Sequence, residues 1–140
     1  MPLVSLLLNV LWLVFGGVWM AAAWVVAAFL MAITIIGLPW ARSALTIAGY
    51  TLLPFGHTVI DRDPRGVGPL GFIGNLVWFV LAGWWLALAH LVTAVGLAIT
   101  VVGLPFAWAH VKLALLALWP MGKEVVPAGR GTIPRFVGAR

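Results

Sequence analysis

Cysteine is absent from this 140-residue chain, which excludes a disulfide framework, a thiolate metal site and a cysteine nucleophile. Charge is nearly as scarce. Only 8% of the residues are charged, against about 25% in soluble domains, while 64% are hydrophobic. The three acidic residues, Asp61, Asp63 and Glu124, all fall outside the apolar stretches. The buried carboxylate that proton- and cation-coupled carriers place near the bilayer centre is therefore missing. Paired carboxylates and a Ser–His–acid set are missing for the same reason, so the expectation is a protein that is not an enzyme. The Gly-rich stretch 65–74 also lacks the Lys-Ser/Thr ending of a phosphate loop.

The spacing of the few charges says what the chain is. None precedes Arg42, leaving 41 uncharged residues, and none lies in the 46 residues between Arg65 and Lys112. A membrane-crossing helix needs about 20 apolar residues. Each run exceeds that, and a soluble fold of this size has too little interior to bury both. The lipid bilayer is the solvent that fits. The net charge of +5 does not point to nucleic acid, because Lys123, Arg130, Arg135 and Arg140 sit just past the last apolar segment. Cytoplasmic flanking charges belong there in a membrane protein. Residues Leu3 to Phe15 with Ala21-Ala22-Ala23 imitate a signal peptide, but no basic residue precedes them and they recur later, so the segment is expected to be retained.

That recurrence is an internal repeat. A shift of 66 residues places Asn9 on Asn75, Trp12 on Trp78, Gly17 on Gly83 and Trp19 on Trp85. It also places Ile33-Thr34 on Ile99-Thr100, Gly37-Leu38-Pro39 on Gly103-Leu104-Pro105, and Pro54-x-Gly56 on Pro120-x-Gly122. Each copy reads as a long apolar helix, a break at Gly-Leu-Pro, and a shorter helix ending at Pro-x-Gly. Glycine suits a helix end and proline the first turn of the next helix, so Gly37, Pro39, Gly103 and Pro105 mark the breaks. The expected fold is an all-α integral membrane protein of two tandem parallel helical hairpins, about four membrane helices.

The units are a first hairpin (1–57), a charged cytoplasmic loop (58–70), a second hairpin (71–122) and a basic cytoplasmic tail (123–140). The first helix of each copy runs roughly 42 Å at 1.5 Å per residue and must tilt, protrude or break, with Gly16-Gly17 as the weak point. The second reaches only about 25 Å, which leaves spanning and re-entrant readings both open. Basic residues in the loop and tail place both termini in the cytoplasm, with Arg42 on the opposite side.

The chain resembles the YccF-domain family, small bacterial inner-membrane proteins with two tandem copies of one domain. The resemblance rests on Leu38-Pro39-x-x-Arg42-Ser43 and Pro54-Phe55-Gly56 in the first copy. In the second it rests on Asn75-x-x-Trp78, Gly83-Trp84-Trp85-Leu86, Lys112 and Leu118-Trp119-Pro120-x-Gly122. It implies an inner-membrane location and the repeat architecture, and no mechanism.

Ionisable groups in a membrane segment are functional candidates. Lys112, seven residues past Pro105, is the most deeply placed fixed charge, read either as a pathway cation or as a snorkelling side chain. Arg42 lies near the interface and suits lipid phosphate. His90 aligns with Trp24 and is expected to pack; His110 and Lys112 point to different faces. No histidine spacing suits a metal, and neither metal nor cofactor is expected. Asn9 and Asn75 are read first as bonds to a neighbouring helix and second as ion ligands. Thr34 and Thr100 are expected to bond carbonyls freed at the breaks.

The leading functional expectation is a small homo-oligomeric channel or uncoupled transporter preferring a small anion, its candidate lining Lys112, Arg42, His110, Asn9, Asn75, Thr34 and Thr100. The alternative is a non-transporting structural or accessory protein that binds a partner protein or lipid.

Overall fold

The computed structural model describes residues 2–63 and 66–129. Arg65 and the basic residues Arg130, Arg135 and Arg140 lie outside the described residues. The chain is mostly helical and repeats itself element by element. Helix α1 (Leu3–Trp12) passes through one wide turn (Leu13–Gly17) into α2 (Val18–Ile33), and α3 (Leu38–Leu52) folds back along α2. Strand β1 (His57–Asp61) follows. The second copy repeats this with α4 (Gly68–Trp78), a wide turn (Phe79–Gly83), α5 (Trp84–Ala98), α6 (Leu104–Leu118) and β2 (Lys123–Pro127). The two continuous helices, Leu3–Ile33 and Gly68–Ala98, are each 31 residues long and apolar. The break expected at Gly16-Gly17 is present as a kink, with Gly16 at φ 129°. Its counterpart Ala82 keeps helical angles, so the wide turn in the second copy forms without a left-handed residue.

Each wide turn has a packing reason. Gly17 lies directly under the Trp12 indole, where a Cβ would collide with the ring. The seated indole donates to the Thr51 carbonyl at 2.7 Å, and Trp78 makes the same 2.7 Å bond to Ala117. Tryptophan thus ties the base of each long helix to the end of its short partner.

Two features depart from the expected fold. The segments read as loop and tail begin with strands, which pair antiparallel, His57 opposite Pro127 and Asp61 opposite Lys123. The 66-residue shift carries this register onto itself, and Val59 faces Val125 at its centre. A two-fold axis therefore passes through the middle of the ribbon. The hairpins, moreover, are not parallel. Trp40, at the tip of the first, lies against Gly74 near the base of the second. Its counterpart Phe106 packs against Trp12, Phe15 and Phe55 at the base of the first, with ring centroids 5.6 to 6.5 Å apart. The tip of each hairpin meets the base of the other, so the two run head to tail. The same packing brings the stretch around Arg42 close to the connecting segment rather than far from it. The Arg42 neighbours Trp40 and Ser43 line one cavity with Arg62 and Asp63. The parallel reading assumed that every helix carries the chain across, whereas an aromatic tip seated over a glycine at the other base favours the reversed packing.

The tips are tight and apolar apart from Thr34 and Thr100. Ile35, Ile36, Val101 and Val102 point outward, Ile35 81% and Val101 84% exposed. Ile35 stands at φ 61°, the left-handed region that a β-branched side chain enters only with strain; Val101 has no such angle. Ile35→Gly is expected to raise stability by about 0.5–1 kcal/mol, since relief of a 1–2 kcal/mol strain outweighs glycine's entropy cost. Val101→Gly should lower it by a similar amount, both read by thermal unfolding in detergent. A loss in both variants would show that the strain is absent.

Candidate functional site

The polar residues proposed for a pathway are mostly spent inside the fold. Asn9 and Asn75 each clasp the chain where it leaves a short helix. Asn9 Nδ2 donates to the Phe55 carbonyl at 2.9 Å, and the Phe55 N–H donates to Asn9 Oδ1 at 3.0 Å. Asn75 makes the same pair with Met121, at 3.3 and 2.9 Å. A primary amide presents a donor and an acceptor side by side, like a peptide group, and so completes the backbone beyond Pro54 and Pro120, where helical bonding stops.

Thr34 and Thr100 close the tips. Thr34 Oγ1 donates to the Met31 carbonyl at 2.6 Å and accepts from the Gly37 N–H at 3.0 Å. Thr100 repeats this with Leu97 and Gly103, both at 3.0 Å. Gly37 and Gly103 are required here, because a Cβ would collide with the Met31 and Leu97 carbonyls. Each threonine thus caps one carbonyl and one N–H of its own turn.

The two cations face outward. Lys112 is exposed on α6, its Nζ 5.7 Å from the centroid of the exposed Trp108 ring, a cation–π contact. Arg42 is exposed on α3, where its carbonyl accepts from Thr46 Oγ1 at 3.0 Å. Neither lines an interior path.

His110 is drawn into a cluster that sequence reasoning missed. His90 Nδ1 and His110 Nδ1 stand 2.9 Å apart, both rings fully buried, and Trp24 Nε1 donates to His90 Nε2 at 3.0 Å. His90 Nε2 is thus an acceptor. With both rings neutral, His90 Nδ1 carries the proton and donates to His110 Nδ1, which leaves the His110 proton on Nε2. Trp12 covers His110 at 4.4 Å and Trp78 stacks on Trp24 at 5.4 Å. Trp24 and His90 are the same position in the two copies, so the pair joins the repeats near their axis. A signal existed: the second copy places histidine where the first has Trp24 and Ala44, two departures that answer each other. Among the described residues, no three His, Cys, Asp or Glu side chains gather as metal ligands.

Two long apolar helices, hairpin turns without polar side chains beyond the capping threonines, and a repeated Asn-x-x-Trp clasp define a tandem-hairpin membrane protein. The family model for the YccF inner membrane component domain matches twice, at residues 7–57 and 73–123, and the chain belongs to this family. It is 34% identical over 140 residues to inner membrane protein YccF of Escherichia coli K12 and to that of Shigella flexneri, covering 95% of each chain. No solved structure matches.

Proposed function

We propose that the protein is a non-conducting, non-catalytic structural component of the inner membrane, entering the bilayer from its ribbon face. The apolar tips carry this reading. A hairpin turn that emerges into water on the far side needs polar or charged residues, whereas these turns expose Ile35, Ile36, Val101 and Val102, and their threonines cap the Gly37 and Gly103 N–H groups. Both properties suit hydrocarbon. The short helices, 15 residues or about 22 Å, also fall short of the ~30 Å hydrocarbon core.

The ribbon sets the orientation. A two-stranded ribbon has two open edges, and open edges are not tolerated in lipid. It also carries Asp61, Lys123 and Glu124. Set at the membrane surface, it makes the two-fold axis the membrane normal, and the head-to-tail hairpins lie beneath it in one leaflet. Arg62 and Lys123 on that face support a cytoplasmic orientation by the positive-inside rule. The hairpins then lie along one leaflet rather than crossing the bilayer.

Because the chain lacks cysteine, single-cysteine labelling with an impermeant maleimide tests this directly. Ala128→Cys should react from the cytoplasmic face only, and Ile35→Cys and Val101→Cys from neither face. Labelling of the tips from the face opposite Ala128 would establish crossing hairpins and overturn the reading.

A homo-oligomeric, anion-preferring pore is the second reading, favoured by the outward Lys112, which would then line a gap between subunits. Liposomes should show no anion or cation flux above empty vesicles, with Lys112→Ala no different from wild type. Anion flux lost in that variant would make Lys112 a pathway residue and put the pore reading first.

A further inference from the structure

We propose that the cavity between the tip of the first hairpin and the base of the second binds a zwitterionic phosphoethanolamine lipid headgroup, with Arg62 on the phosphate and Asp63 on the ammonium. The inference rests on the reading that the ribbon face lies at the membrane surface. The cavity has a volume of ≈ 530 Å³, within the ~300–1,000 Å³ range of small-ligand sites. Trp40 forms one wall, Ser43 and Met121 line it, and Arg62 and Asp63 stand at its polar side.

The repeat shows that this cavity is a departure rather than a by-product of the fold. At the pseudo-equivalent end, Phe106 stands where Trp40 does and Phe55 where Met121 does. Those two rings pack 5.7 Å apart, and Phe15 closes on Phe106 at 5.6 Å. Ala128 and Gly129 occupy the places of Arg62 and Asp63. Among the described residues, one end is filled with aromatic rings and carries no charge, whereas the other is open and carries Arg62 and Asp63.

The backbone holds that pair in place. The Arg62 N–H donates to the Gly122 carbonyl at 2.8 Å, and the Asp63 carbonyl accepts from the Gly66 N–H at 3.0 Å. Gly122 sits at φ 84°, and the Val67 side chain occupies the space that a Cβ there would take. A guanidinium matches phosphate geometry, and a carboxylate has room for several donors at once. The Trp40 indole suits the boundary between headgroup and acyl chain, as tryptophan does in membrane proteins generally. An adjacent cation and anion fit a zwitterion better than a headgroup of net negative charge.

Calorimetric titration of dihexanoyl phosphatidylethanolamine into the full chain in detergent tests the site. Saturable binding is expected, with dihexanoyl phosphatidylglycerol several-fold weaker. Arg62→Ala, on the surface, and Ser43→Phe, which fills the cavity, should each weaken the ethanolamine lipid about tenfold. Asp63→Asn should close the gap between the two lipids. Equal binding of both lipids to wild type, or unchanged binding in Arg62→Ala and Ser43→Phe, overturns the proposal. Glycerophosphoethanolamine or inorganic phosphate binding as tightly as the lipid overturns it too, making the ligand a free solute. The titration reads the cavity whichever way the chain sits in a bilayer, and the maleimide labelling reads only the orientation, so the two readings fail separately.

Discussion

Asn75→Ala is expected to lower the stability of the folded chain by about 3 kcal/mol, because it strands two buried backbone groups at once. Asn75 is fully buried, and its amide bonds both the N–H and the carbonyl of Met121. The chain has just left α6 through Trp119, at φ −146°, and Pro120 supplies no N–H, so no helical neighbour can take over. Each stranded group costs about 1–3 kcal/mol, and water has no access to repair it. Asn9→Ala should cost somewhat less, since the matching bonds to Phe55 are only partly buried. Lys112→Ala, which removes a contact between two exposed side chains, should stay within about 0.5 kcal/mol. Denaturant unfolding in detergent micelles measures all three. A loss below about 1 kcal/mol for Asn75→Ala would place the clasp among the weak interhelical bonds common in membranes, and its repetition would then need another cause.

The clasp was partly visible in the sequence. An amide kept at the same place in both copies, three residues before a tryptophan, announces a structural bond between helices. The threonines before each Gly-Leu-Pro likewise announce the caps they form. Repeat matching found these because each bond stays within one copy. The contacts between copies left no such trace. Trp40 on Gly74 and Phe106 on Phe55 link positions that are not equivalent under the shift, and they decide that the hairpins run head to tail.

The ribbon was missed for a related reason. His57–Asp61 and Lys123–Pro127 are short, only moderately apolar, and 66 residues apart, and each becomes a strand only by pairing with the other. The histidine pair was missed for another reason, because it lies within the second copy and has no duplicate in the first. His90 and His110 lie 20 residues apart on two helices, so helical spacing could not join them, and only the fold of α6 along α5 does. What is local or duplicated was legible; what arises where the copies meet was not.

Ile35→Asp together with Val101→Asp should prevent stable insertion of the chain, the largest effect expected from any pair of substitutions at exposed positions. A carboxylate in the hydrocarbon costs about 2.5–3.5 kcal/mol by insertion measurements, so two together cost about 5–7 kcal/mol, comparable with the whole stability of a small domain. Neither turn offers relief of its own. The polar side chains within them, Thr34 and Thr100, already bond inside their turns, and the flanking residues in sequence are Ile33, Ile36, Leu38, Ile99, Val102 and Leu104. Aspartate is also too short to snorkel as lysine does. If the hairpins crossed the membrane instead, both turns would lie in water and the same substitutions would be nearly neutral, within about 0.5 kcal/mol. Ala128→Asp, just past β2 on the ribbon face, is the matched control and should leave insertion unchanged. Alkaline carbonate extraction of inner membranes separates the outcomes. Wild type and Ala128→Asp should stay with the membrane while the double variant is extracted or degraded. Full retention of the double variant would require turns that reach water, and the hairpins would then have to be drawn as crossing the bilayer.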